Sequence, residues 1–142
     1  LAKEGMPITL AVSLHAPNDA LRRRIMPIAE KYPLDEVLKA ARHYFDVTGR
    51  KVTFEYILIK GLTCTNACAK ELARLLGGQN ILVNAIPIND NYDVGLYRPD
   101  EKTMNEFVTY LQRHGVSVTL RREMGSQIQA ACGQLRIKRE KI

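Results

Sequence analysis

Val52-Thr53-Phe54-Glu55-Tyr56-Ile57-Leu58-Ile59 is rich in β-branched and aromatic residues and carries one carboxylate. Such a run reads as a strand. Upstream, Leu34, Val37, Leu38, Ala41 and Phe45 recur at helical spacing, and Gly49 closes the segment. Downstream, Ala69, Leu72, Leu75 and Leu76 form the next helical stripe, with Asn66 as its expected N-cap and Gly77-Gly78 as its stop. Further out, residues 8–13 read as a short buried strand, and Asn18-Asp19 caps a short helix ending near Pro27. Residues 81–86 read as a third strand ended by Pro87, because proline cannot donate to a ladder. A polar loop with Tyr92, Gly95, Tyr97 and Pro99 follows. Asp100 then caps a helix carrying Met104, Phe107, Val108 and Leu111, closed by Gly115. Residues 116–120 make a fourth strand, and Cys132 lies beyond it after the loop containing Gly125.

The order is β-α-β-α-β-α-β, and each crossover is long enough for a parallel, right-handed connection. The expected class is α/β, part of a parallel sheet or barrel, in one domain spanning residues 1–142. In such folds ligands gather at the carboxyl ends of strands. Ser13 and His15 fall at the end of the first strand, Asn89 just past the third and Cys132 past the fourth. All four can face one mouth.

Composition sets the outer limits. Hydrophobic residues make up 46% and charged residues 25%, ordinary for a globular protein. No apolar run approaches the roughly 18 residues of a membrane span, and no signal peptide is visible. The formal charge of +6 favours a polyanionic partner, nucleic acid first. Basic clusters occur at Arg22-Arg23-Arg24, at Arg121-Arg122 and from Arg136 to Lys141, each readable as RNA contact or as a solvated face. With 6 Tyr, 3 Phe and no Trp, base-stacking platforms are not evident. Three cysteines, an odd number, suit a reducing compartment rather than a disulfide framework. Cys64 and Cys68 form a C-x-x-x-C pair without a third Cys at a completing distance, so a structural pair is expected and no metal ligand is assigned.

Residue chemistry alone leaves alternatives open. His15 after an apolar strand reads as a hydrogen-bonded core histidine or as a ligand contact. Ser13 and His15, two apart on one strand, make a poor nucleophile–base pair, and the G-x-S-x-G elbow is absent. No G-x-G-x-x-G or P-loop cradles a phosphate. Asn89 offers donors and an acceptor to a ligand, or starts a turn at Asn89-Asp90. Glu55 reads as a barrel-interior carboxylate or a paired edge charge. Cys132, between Ala131 and Gly133, is an inert small side chain or a nucleophilic thiolate.

Leu10 to Asn18, Phe54-Glu55-Tyr56, Val83 to Asn89 and Ala130-Ala131-Cys132-Gly133-Gln134-Leu135 together resemble one family. It is the radical S-adenosylmethionine (radical SAM) methyltransferases that modify an adenosine of 23S ribosomal RNA. The resemblance runs through nearly the whole chain and covers the C-terminal part of that family's protein. It implies part of a partial (β/α)6 barrel with parallel strands and flanking helices. It also implies S-adenosylmethionine contacts at Ser13, Leu14, His15 and Asn89, with Cys132 as the cysteine that becomes S-methylated. A 4Fe–4S cluster, its C-x-x-x-C-x-x-C ligands, a Gly-Glu contact and a second catalytic cysteine are implied upstream. In the family a 5′-deoxyadenosyl radical takes hydrogen from the methylated cysteine, and the carbon radical adds to adenine. A ring C–H carbon has no lone pair for direct displacement, which is why a radical is needed.

The implied partners are 23S rRNA, tRNA as a further substrate, and an electron donor. A cytoplasmic, membrane-free monomer is implied for the full-length protein, with the fragment alone inactive. Gln127, Ala29 and Gly61-Leu62-Thr63-Cys64 depart from the family's usual residues. They leave open whether C2 or C8 of adenine is modified. Two other classes compete: a non-catalytic basic α/β module that binds RNA, and a radical SAM fold acting on a peptide or small molecule.

Overall fold

The computed structural model describes residues 11–25 and 33–121. Cys132, Ala29, Gln127 and the basic tail from Arg136 to Lys141 lie outside the described residues. Strand β1 (Ala11–Ser13) leads to helix α1 (Asp19–Ile25) and helix α2 (Leu34–Thr48). Strand β2 (Val52–Leu58), helix α3 (Asn66–Leu76), strand β3 (Ile81–Pro87), helix α4 (Glu101–Arg113) and strand β4 (Ser117–Leu120) follow. The expected alternation is borne out. The four strands form one parallel sheet in the order β1-β2-β3-β4.

That order has a physical consequence. A doubly wound sheet reverses its strand order and so carries helices on both faces. Here the order never reverses. The main core takes Val52, Phe54, Tyr56 and Leu58 from β2, and Ile81, Val83 and Ala85 from β3. These alternate positions share one face, and Leu38 of α2, Leu72 and Leu76 of α3, and Phe107 and Leu111 of α4 pack on it. The Tyr56 and Phe107 rings stack at 5.6 Å and 27°. Each fully buried side chain of this size contributes about 1.5–3 kcal/mol. All helices of this core lie on one side, as in the wall of a barrel.

The opposite face is set by the same alternation. Ser13 pairs in register with Glu55, Glu55 with Asn84, and Asn84 with Thr119. One polar row therefore crosses the whole sheet, about 4.8 Å per strand. Glu55 is thus not an edge charge: β2 lies between β1 and β3, and its carboxylate is half-buried in this row.

Local signals explain the boundaries. Asn18 Oδ1 accepts the Leu21 N–H at 2.8 Å and starts α1. Pro33 cannot cap α2 with its side chain, and Asp19 of α1 instead accepts the Leu34 N–H at 2.8 Å. Gly49 ends α2 in the left-handed region, φ 71°. Two expectations shift by one residue. Thr65, not Asn66, caps α3: its backbone is extended and its Oγ1 accepts the Cys68 N–H at 3.1 Å. Pro87 is the last residue of β3 rather than its stop. Since Ile88 N–H donates to Leu58 O at 3.2 Å, the Pro87 nitrogen turns to the β4 side, beyond the last ladder bond described there, Arg121 N–H to Ala85 O at 2.9 Å.

Gly77 ends α3 with an ordinary φ of −57°, so its reason is space. A Cβ there would sit 2.7 Å from Ala73 O and 2.9 Å from His114 O, both backbone atoms. Gly77→Ala is expected to destabilise the protein by about 1–3 kcal/mol in urea titrations. Unchanged or raised stability would contradict this packing.

Candidate functional site at the carboxyl end of the sheet

The end of β1 departs from a regular ladder. In a parallel pair a residue donates to one neighbour on the partner strand and accepts from the residue two further on. Leu14 N–H donates to Glu55 O at 2.9 Å, so its carbonyl is due to accept from Ile57. It does not. Ile57 N–H donates to His15 Nδ1 at 3.1 Å. His15 adopts φ 60°, the only left-handed non-glycine among the described residues. This conformation costs about 1–3 kcal/mol and swings the imidazole into the place of the missing carbonyl.

The bond fixes the tautomer. With Nδ1 accepting, a neutral His15 carries its proton on Nε2, which leaves one ring donor for a ligand. The ring is 6% exposed. Burial, reinforced by the Arg22 guanidinium, lowers its pKa to about 4. His15 is therefore uncharged at neutral pH.

Arg22 supplies the donor that the Leu14 carbonyl loses in this exchange. Its side chain is 3% exposed, Nε donates to Leu14 O at 3.0 Å and Nη2 to Ser13 O at 3.5 Å. Asp19 approaches it at 4.0 Å. The reading of the Arg22-Arg23-Arg24 cluster as a uniform solvated or RNA-facing patch is thus corrected at its first member. Arg22 is inside, Arg23 is exposed and Arg24 half-buried. Only the β1–α1 geometry separates them, and the sequence run carries no such signal. Asn18 Nδ2 ties α1 to the Glu71 carboxylate of α3 at 3.1 and 3.3 Å.

Ser13 is exposed at the strand end, on the same face of the sheet as Glu55. Leu14 is fully buried in the main core, so only its backbone is offered to a ligand. Asn89 is exposed two residues beyond β3, at the same end of the sheet, with β2 between it and His15. It follows Ile88, which is buried with Ile57, Ile59 and Leu96 in a second apolar cluster. The structure thus brings Ser13, His15 and Asn89 to one end of the sheet. Thr63, missed in the sequence, clamps the end of β2: Oγ1 donates to Ile57 O at 2.6 Å and accepts from Ile59 N–H at 2.7 Å. A threonine in a loop gives no warning of that role.

The two described cysteines are unlike ligands. Burial, then Cys68 and Asp100, push the Cys64 thiol up to about 12, and Cys68 Sγ donates to Leu62 O at 3.4 Å. Among the described residues no group of three His, Cys, Asp or Glu could hold a metal ion. These residues do not fit a 4Fe–4S cluster. Among them, too, no helix is long and apolar enough to cross a membrane.

Burial of a neutral His15 makes stability pH-dependent. The unfolded ring takes a proton near 6.5 and the folded one near 4. Between these values the unfolded state holds more protons, so stability falls as pH drops from about 6.5 to 4. At about 1.4 kcal/mol per pH unit the loss reaches about 3 kcal/mol. Urea titrations at pH 7 and 4.5 are expected to show this loss, and His15→Gln to remove it. A wild-type protein equally stable at both pH values would refute the buried neutral ring.

No protein-family model matches the chain. It is 52% identical over 136 residues to a probable dual-specificity RNA methyltransferase RlmN of Lachnoclostridium phytofermentans, covering 96% of this chain and 38% of that protein. It is 54% identical over 137 residues to the protein of the same name in Symbiobacterium thermophilum, covering 96% of this chain and 37% of that one. A radical SAM methyltransferase from Sphaerobacter thermophilus superposes with a TM-score of 0.84 and 46% identity, over 96% of this chain and 40% of that chain. A domain of a pyruvate-formate lyase-activating enzyme from Bacteroides vulgatus shares the fold alone, with a TM-score of 0.59 and 17% identity. The chain spans about two fifths of the length of these RlmN relatives, and it belongs to their family, the radical SAM RNA methyltransferases.

Proposed function

We propose that this chain supplies part of the S-adenosylmethionine site of an enzyme that methylates adenosine C2 in 23S rRNA, and in tRNA, in the cytoplasm. The observation that carries the reading is the cluster of Ser13, His15 and Asn89 at the carboxyl end of a parallel sheet, in a chain about half identical to RNA methyltransferases. The residues fit the molecule. A sulfonium nucleoside with an amino-acid tail needs neutral donors and acceptors, which an exposed hydroxyl, an Nε2–H and an exposed amide provide. Three uncharged groups also avoid repelling the sulfonium cation, and a His15 protonated at pH 7 would not.

When bound, S-adenosylmethionine supplies an electrophilic methyl group. The chain's part is to hold it and to receive that methyl. Ser13 and Asn89 bind from either side of β2, and His15 donates from Nε2. Leu14 contributes through its backbone, because its side chain is in the core. Cys132 loses its thiol proton to solvent and attacks as thiolate. Its sulfur would take the methyl group that bound S-adenosylmethionine supplies. Positioning, not acid–base chemistry, is what these side chains contribute.

In the complete enzyme, Cys132→Ala is expected to abolish RNA methylation while cleavage of S-adenosylmethionine continues. Wild-type methylation in that variant would remove Cys132 from the reaction. Nucleoside chromatography of the product is expected to give 2-methyladenosine; 8-methyladenosine would assign the C8 chemistry instead. The isolated 142-residue chain is expected to be inactive.

A further inference from the structure

The loop from Asn89 to Arg98 is built rigidly and yet displays two aromatic rings. Asn91 and Leu96 exchange backbone hydrogen bonds of 2.7 and 3.0 Å, closing a tight hairpin. Asn91 Oδ1 accepts the Asp93 N–H at 3.2 Å, and Asp90 Oδ1 accepts the Arg98 N–H at 2.8 Å. Lys60 N–H donates to Tyr97 O at 2.8 Å, and Leu96 is buried with Ile57, Ile59 and Ile88. From this anchored turn Tyr92 stands 77% exposed and Tyr97 39% exposed. Their rings meet edge to face, centroids 5.6 Å apart at 64°.

Aromatic side chains are usually the largest contributors to buried area. Two of them held in water on a fixed turn, beside Asn89 at the ligand end of the sheet, suit a partner with a flat π-face. The turn also carries Asp90 and Asp93, which oppose a phosphate. The chemistry therefore selects a nucleobase over the backbone, with the chain's net charge of +6 attracting phosphates elsewhere.

We infer that Tyr92, braced by Tyr97, stacks on an unpaired base of the RNA substrate as it enters the mouth beside Asn89. This rests on the proposed RNA methyltransferase function. Sparse aromatics make no stacking platform evident in the composition. Two tyrosines five residues apart become a platform only because the hairpin folds them together.

The test uses the complete enzyme and a 23S rRNA fragment. Tyr92→Ala is expected to raise KM for RNA about tenfold, with KM for S-adenosylmethionine unchanged. Tyr92→Phe and Tyr92→Trp restore it and Tyr92→Leu does not. The salt dependence of RNA binding keeps its wild-type slope, since no phosphate contact is lost. A wild-type RNA KM in Tyr92→Ala, rescue by Leu, or a reduced salt slope would each overturn the stacking role. An unaltered enzyme that does not methylate RNA would instead refute the function on which the inference rests.

Discussion

One backbone amide, that of Ile57, is bound by an imidazole where a strand carbonyl is due, and the mouth of the sheet is organised around that exchange. The chain reaches the exchange by turning His15 into the left-handed region, at a cost of about 1–3 kcal/mol. Two sets of contacts offset it. The imidazole satisfies a buried N–H that would otherwise cost about 1–3 kcal/mol. The released Leu14 carbonyl accepts from a buried guanidinium, and hydrogen bonds of that charged kind are worth about 1.5–3 kcal/mol. Thr63 holds the carbonyl of the same residue, Ile57, so both of its backbone groups are fixed by side chains.

The exchange also decides which chemistry the mouth offers. A histidine accepting through Nδ1 is a donor at Nε2 and cannot act as a base there without changing tautomer. Arg22 adds to this by sign. Its charge lies behind the ring, facing the carbonyl ends of β1, and discourages a second cation on His15. Among the described residues the helices of the main core pack on one face of the sheet, and the row Ser13–Glu55–Asn84–Thr119 lies on the other. Site and fold follow from one topology: helices on one face, polar groups on the other.

Much of this was legible in the sequence, and the failures have definite causes. Helix and strand identities followed from local periodicity and caps such as Asn18, Gly49 and Asp100, whose signals lie within a few residues. The Thr65 cap was missed because Thr65 and Asn66 are both good caps, and only the backbone angles choose between them. Arg22 was unreadable for a deeper reason. Its neighbours Arg23 and Arg24 have the same chemistry, and burial was decided by carbonyls eight and nine residues upstream. Ser13, His15 and Asn89 could be placed at one end from strand order alone. The use of His15 Nδ1 could not, because it depends on a backbone angle that histidine rarely adopts.

The most direct test is a crystal structure of the complete enzyme with S-adenosylmethionine bound. The account predicts the ligand across the carboxyl ends of β1 and β3, with His15 Nε2 donating to it, His15 Nδ1 still on Ile57 N–H, and Cys132 Sγ open to its methyl group. A ligand held elsewhere, with Cys132 closed off from the end of the sheet that carries His15 and Asn89, would contradict it.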